Sequence, residues 1–186
     1  MTEEFLYELK IPKERVAVLI GKSGETKTTL ERETKTKIDV DSKEGDVTVS
    51  GTDALGLYTV REIIKAIGRG FNPEVAQLLL KPDYALELID IVEFSGRSKD
   101  SLLRLKGRVI GREGKSRHLI EQMSEAYLCV YGKTIGIIGE PESALIAKQA
   151  IEMLLKGSNH STVYKWLERK RRELKRDRII GQQQSF

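Results

Sequence analysis

Residues 20–24 read Ile20-Gly21-Lys22-Ser23-Gly24, and residues 110–114 read Ile110-Gly111-Arg112-Glu113-Gly114. Each is an Ile-Gly-x-x-Gly segment ending an apolar-periodic stretch and opening another. Two glycines so spaced leave backbone without Cβ atoms, and amides exposed at a helix start favour an anion such as phosphate. One copy is weak evidence. Two copies in matching surroundings decide the fold, because a sequence that repeats itself folds into repeated units.

The likeness extends outward from the loops. Aligned on the second glycine, Leu30 falls on Ile120 and Glu31 on Glu121. Ile38-Asp39-Val40 falls on Leu128-Cys129-Val130. Val47–Gly51 falls on Ile135–Gly139 once two extra residues are allowed in the polar, Gly-containing stretch 41–46, a loop by composition.

In the first copy, alternation over 5–11 predicts a strand. Pro12 suits the first position of a helix, with Val16, Leu19 and Ile20 on its apolar face. After the Gly21–Gly24 loop come a helix over 25–34 and strands at 37–40 and 46–50. Thr52 or Asp53 caps a helix reaching about residue 69. The second copy predicts a strand over 85–94, helices over 100–109 and 115–124, strands at 126–131 and 134–139, and a helix over 141–156. The order in both is β-α-α-β-β-α, with the extra strand and helix after the core. This is the type I arrangement of the KH module, whose Gly-x-x-Gly loop clamps a single-stranded nucleic-acid backbone. The expected fold is therefore α+β: two tandem type I KH domains plus a C-terminal basic helix. The boundaries are 1–71 for the first domain, 72–83 for a connector, 84–157 for the second domain, and 158–186 for the helix and tail. The connector holds a short helical stretch from Pro73 and is short enough for the modules to pack together.

Composition sets the limits. The chain has 186 residues, 39% of them apolar, enough for two small cores. No run of apolar residues is long enough to span a membrane, and Glu3 and Glu4 do not suit a signal peptide. One Cys and two His exclude an intramolecular disulfide and offer no zinc-ligand spacing. We expect a cytoplasmic monomer without cofactor or metal. The net charge of +4 is uneven. Residues 161–186 hold eight bases and three acids, so the remaining chain is close to neutral. RNA affinity must come from local patches.

A nucleotide-binding P-loop needs a glycine five residues before the Gly-Lys-Ser glycine. Val16 and Val109 stand there, both on predicted core faces. The loops could also be plain helix-connecting turns. Charge separates the two copies. Residues 12–34 carry five bases and four acids; residues 102–124 carry six bases and two acids, with His118 besides. Counterion release scales with such local charge, so the second cleft is the main expected RNA site. Val109, Ile110, Leu119 and Cys129 are candidates for an apolar floor under the bases. His118 reads as a groove or surface residue, and Cys129, in a predicted strand, as a small buried hydrophobe.

The usual KH signature has Ile three residues after the second glycine. Here Lys27 and Arg117 stand there. With the Leu30-Glu31 pair, Thr34-x-Thr36-Lys37-Ile38, the segment 66–80, the segment 105–121 and Gly157–Glu168, this resembles the Partner-of-Nob family of double-KH ribosome-assembly proteins over about residues 4–170. The resemblance implies a non-enzymatic protein that binds near the 3′ end of small-subunit rRNA. The implied partner is the Nob-type endonuclease or another ribosome-assembly or translation protein. In eukaryotic relatives the first loop is often degenerate; here both keep both glycines.

The expected RNA-binding residues are Gly111, Arg112, Glu113, Gly114, Lys115, Arg117 and His118, with Ile110 and with Arg108 in support. Gly21, Lys22, Ser23, Gly24 and Lys27 either extend the site or dock a protein. Backbone amides of 111–114 and of the next helix start hold phosphates. The tail, with an apolar stripe of Val163, Tyr164, Trp166, Leu167 and Leu174, is expected as a separate basic helix that frays from Gly181 onward. It is either solvated or in further phosphate contact. Two rival readings are a protein-docking scaffold whose KH folds no longer grip RNA, and a KH factor of translation or RNA decay.

Overall fold

The structure, a computed structural model, describes residues 5–96 and 98–183, the last three by backbone alone. It divides into two compact units at Leu86/Glu87, each with its own core.

In the first unit, β1 (Phe5–Lys10) leads into α1 (Lys13–Ile20). Pro12 sits at the cap position, one residue before the first helical position expected for it. A single 3-10 turn carries the loop into α2 (Glu25–Thr34), then β2 (Lys37–Val40), β3 (Asp46–Gly51) and α3 (Ala54–Gly68). The Asp53 side chain caps α3 by accepting from the Leu55 amide at 3.1 Å. The sheet order is β1-β3-β2, antiparallel throughout. Alternate β3 residues Val47 and Val49 are buried, as are Leu19, Leu30, Ile63 and Ile67 from the helices. The expected connector folds onto this unit. Helix α4 (Pro73–Ala76) and a 3-10 turn over Gln77–Leu80 lie against α3, with Ala76 and Leu79 buried.

The second unit repeats the plan with β4 (Ala85–Asp90), α6 (Lys99–Ile110), a 3-10 turn, α7 (Lys115–Ser124), β5 (Tyr127–Tyr131), β6 (Thr134–Gly139) and α8 (Pro141–Leu155), in sheet order β4-β6-β5. The strand expected over 85–94 stops at Asp90. The Asp90 carboxylate accepts from the Val92 amide at 2.8 Å and turns the chain into a short helix, α5 (Val92–Ser95). The anchor after the strand is nonetheless the same in both units. Ile11 donates to Gly45 and Ile91 to Lys133, each at 2.9 Å, and both side chains are buried.

The C-terminal helix α9 (His160–Gln183) is not a separate element. Val163, Leu167 and Leu174 are buried in the second core, and α9 lies against α7 and α8. Spacings of four and seven residues bring these three onto one face. Trp166, also in the expected stripe, is only partly buried. The helix begins at His160, with the Asn159 carbonyl accepting from the Thr162 and Val163 amides. At its far end Arg178 reaches Glu125 at 2.5 Å and Glu140 at 3.1 Å. These partners, the Glu125 hydrogen bond foremost, raise its pKa above the ordinary arginine value. Helical backbone continues past Gly181, where fraying was expected; residues 184–186 lie outside the described residues.

Candidate nucleic-acid interface

The two Gly-x-x-Gly loops have the same backbone path. Gly21 and Gly111 leave their helices at φ 75 and 73, with ψ near 180. Ser23 and Glu113 both take φ 53, and Gly24 and Gly114 take φ 81 and 76. Three left-handed residues in four are costly for L side chains unless glycine supplies them. The two glycines of each loop differ in role. A Cβ on Gly21 would lie 2.3 Å from the Thr26 hydroxyl, and one on Gly111 would lie 2.6 Å from the Ser116 Cβ. The first glycine therefore lets the loop close against the next helix. A Cβ on Gly24 or Gly114 would meet nothing within 4 Å; that glycine supplies only conformation and an open surface.

Not every loop amide faces outward. Gly111 donates to Gly107 at 2.8 Å, Gly114 to Gly111 at 3.3 Å, and Lys115 to Arg112. Gly21, Gly24 and Glu25 do the same in the first loop. The expectation that all amides from 111 to the next helix start await a phosphate is corrected: three of them close the turn. Those of Arg112 and Glu113 lie at the apex.

The structure divides the expected RNA-binding side chains among three places. Arg112, Glu113 and Lys115 are exposed at or beside the second loop, and Glu113, Gly114, Lys115, His118 and Leu119 line one shallow hollow of about 400 Å³. His118 is an open surface residue. Glu113 lies 3.5 Å from the Lys115 ammonium and so partly offsets the charge that the loop presents. Arg117 leans the other way, 3.8 Å from Glu121. Ile110 and Ile20 are half-buried behind their loops, and Lys22 and Ser23 are exposed. Of the expected floor residues, Val109 is fully buried core, whereas Ile110, Leu119 and Cys129 are partly exposed.

Arg108 faces away from the loop. Its Nε donates to the Leu154 carbonyl at 3.1 Å and its Nη2 to the Ser158 carbonyl at 2.7 Å. Those carbonyls belong to the last turn of α8 and the link to α9, where orphan acceptors need partners. The His160 ring bonds the Arg108 carbonyl at 2.8 Å. Arg108 is therefore a clamp rather than phosphate support. The first unit has the same clamp from another position: Arg15 donates to Ile67 and Phe71 at the end of α3. In the alignment on the loops, Arg15 faces Leu105, not Arg108.

The residues that replace the usual Ile also find an explanation. Glu31 accepts from the Ile38 amide at 2.8 Å and Glu121 from the Leu128 amide at 2.9 Å. Both amides lie on the outer edge of their sheets. Lys27 and Arg117, one turn earlier, pair with these carboxylates at 3.8 Å. A base at that position pairs with the half-buried acid that caps the edge strand. The repeated apolar-Glu pair was the sequence signal for this.

Among the described residues there is no group of His, Cys, Asp and Glu that could hold a metal ion, and no helix long and apolar enough to cross a membrane.

The sheet order and the paired loops define a tandem type I KH protein. Comparison with known proteins agrees. Residues 85–172 match the model of the eukaryotic-type KH domain (KH-domain type I) built for the second PNO1 domain, which takes in the first half of α9, and residues 6–66 match the KH domain. A KH domain-containing protein of Methanocaldococcus jannaschii is 52% identical over 92% of this chain and 76% of its own length. The crystal structure of Dim2p from Pyrococcus horikoshii superposes with a TM-score of 0.82 at 48% identity, covering 89% of this chain and 99% of that one. The pre-rRNA-processing protein PNO1 of Phaeosphaeria nodorum is 30% identical over 62% of this chain and 44% of its own length. The chain belongs to the PNO1/Dim2 family of double-KH proteins.

Proposed function

We propose that this protein is a non-enzymatic RNA-binding factor of small-subunit ribosome maturation, gripping single-stranded pre-16S rRNA near its 3′ end through the second KH unit. The observation that carries the reading is the second loop: an open Gly-x-x-Gly turn whose exposed neighbours Arg112, Lys115 and Arg117 outnumber its acids. Phosphates sit at the loop apex, on the amides of Arg112 and Glu113. Bases lie over Ile110, Leu119 and Cys129. A relative supports the RNA: Dim2p of Pyrococcus horikoshii has been solved in a complex with a/eIF2alpha and rRNA, and superposes with a TM-score of 0.85 at 46% identity, covering 91% of this chain and 96% of that one. The names of the PNO1 relatives support pre-rRNA processing.

The partner is a Nob-type endonuclease. The a/eIF2alpha complex of the relative favours a second reading, in which a translation-initiation protein docks instead. The protein acts as a cytoplasmic monomer.

The test is binding of a fluorescent single strand matching the 16S rRNA 3′ end. Wild type is compared with R112D/E113D and, separately, K22D/S23D. Aspartate tolerates the left-handed backbone at Ser23 and Glu113, so both loops keep their shape. The second-loop variant should lose about tenfold or more in affinity, and the first-loop variant much less. Binding that ignores both loops would overturn the reading.

A further inference from the structure

Among the described residues, the outer edge of β1 is unlike the other sheet edges. On the opposite edge of the same sheet, Glu31 caps the outward amide of Ile38, and in the second unit Glu121 caps that of Leu128. In the second unit's other edge strand, β4, only Asp90 is exposed. In β1, all residues but Leu9 are exposed, including Phe5, Leu6 at 59% and Tyr7. The ladder fixes which groups point outward. Ile11 donates to Gly45, and the pairing from Lys10↔Asp46 to Phe5↔Gly51 is regular. Antiparallel pairs alternate between hydrogen-bonded and non-bonded. Odd-numbered residues of β1 therefore bond β3, and the amides and carbonyls of Leu6, Glu8 and Lys10 face the open edge. An open edge is a template for another strand.

Beside this edge lies a groove of about 660 Å³ between β1 and α3, running from Tyr7 to Lys13. Tyr7, Leu9, Ile11 and Pro12 give it an apolar floor. Its walls are basic. Arg61, Lys65 and Arg69 follow at four-residue spacing along α3 and its end, with Lys10 and Lys13 opposite, against Glu8 and Glu44. Those lining residues sum to +3, and to +1 when Asp46 and Glu62, the outside partners of Lys10, Arg61 and Lys65, are included. The Lys10–Asp46 and Lys13–Glu44 pairs are exposed and so cheaply exchanged. Arg69 has no ion pair among the described residues. Arg61 lies over both the Tyr7 and Tyr58 rings, at 5.4 and 5.5 Å, which holds the wall against the strand.

We infer that the β1 edge and its basic groove form a docking site for an acidic, extended peptide segment of a partner protein, added to the sheet as a fourth strand. Main-chain bonds to Leu6, Glu8 and Lys10 give affinity, apolar side chains at alternate positions enter the floor, and acids meet the α3 bases. A second copy of this chain does not suit the site, since two such grooves would set like charges together. The inference deepens the partner half of the proposed function and is independent of the RNA loop.

The test uses the full chain and two fluorescein-labelled octapeptides, one alternating Val with Glu and one alternating Val with Lys. The acidic peptide should bind at least about tenfold tighter, and K65E/R69E should weaken it about tenfold. Hydrogen exchange should show new protection at Leu6, Glu8 and Lys10 but not at Tyr7 or Leu9, which β3 already holds. Glu8→Pro removes an outward amide without touching the ladder to β3, a change edge strands tolerate, and should abolish peptide binding while 16S oligonucleotide binding persists. If Glu8→Pro unfolds the unit, the exchange pattern and K65E/R69E decide. Equal affinity for both peptides, absence of the alternating protection, or a concentration-dependent dimer protecting the same amides would overturn the proposal. So would displacement of the peptide by oligouridylate with loss in the same variants, which would make the groove a nucleic-acid surface. Loss of RNA binding in R112D/E113D with peptide binding intact would leave it standing.

Discussion

Replacing Arg108 separates a clamp from a phosphate contact, because the two roles predict opposite results. As a clamp, Arg108 supplies two charged hydrogen bonds to carbonyls of residues 46 and 50 positions away, at 3.1 and 2.7 Å. Bonds from a charged donor contribute about 1.5–3 kcal/mol each. The side chain is only partly buried and water can replace some of that contact, so the lower end applies twice. Arg108→Ala should cost about 3 kcal/mol. For a unit of roughly this size the melting temperature should fall by about 10–20 °C. Arg108→Lys keeps the charge but cannot span both carbonyls, and should fall by about half as much. The assays are thermal unfolding and titration of the 16S oligonucleotide at two salt concentrations, at a temperature where the variants remain folded. Affinity should change by less than about twofold, and the salt slope should stay the same. A phosphate contact would instead reduce the slope by about 0.7 for a single strand. Stability like wild type, with weaker and less salt-dependent RNA binding, would refute the clamp.

Further outcomes follow from the same geometry. Gly111→Ala should destabilise the second unit by about 2 kcal/mol or more in urea unfolding, since its Cβ would lie 2.6 Å from Ser116 at positive φ; Gly114→Ala, with open space, should cost about 1 kcal/mol. Glu121→Ala should uncap the Leu128 amide and speed its hydrogen exchange, with a loss of about 1–2 kcal/mol, whereas Glu121→Gln, which keeps an acceptor, should lose less. Lys148 donates to Glu87 at 2.8 Å, and that bond chiefly raises its pKa above the ordinary 10.5. Its small stabilisation is therefore fully present below the ordinary value and lost only as pH climbs through the raised one. Melting curves of wild type and Lys148→Met should differ slightly at neutral pH and converge in strong alkali.

Both folds were legible because their signals are local. The β-α-α-β-β-α order rests on periodicity, on capping residues such as Asp53, and on glycines at positions where the backbone turns left-handed. Helix 115–124 and strand 134–139 lie where the pattern put them. The misreadings concern residues whose partners are distant or whose turn competes with a pattern. Ile91 to Phe94 continues an apolar run, yet the Asp90 carboxylate captures the Val92 amide and ends the strand. Val163, Leu167 and Leu174 do form a stripe, but eight bases around it suggest a solvated helix until α7 and α8 supply the surface it covers.

The clamps show best why sequence comparison of the repeats could not finish the site. Any base on the first helix of a KH unit reads as a candidate for RNA, and in the second copy Arg108 lies three residues from the loop. The end of the long helix needs its carbonyls satisfied in both units, so an arginine must reach them. It does so from Arg15 in one and from Arg108, nearly one turn further on relative to the loop, in the other. The constraint is on where the guanidinium ends, not on where its Cα begins. A long side chain can meet it from adjacent turns, and an alignment then sees two unrelated residues. Removing Arg108 from the proposed RNA site leaves Arg112, Lys115 and Arg117 to supply the charge that the proposal needs. That makes the double substitution at the loop apex a cleaner probe of RNA binding than any change on α6.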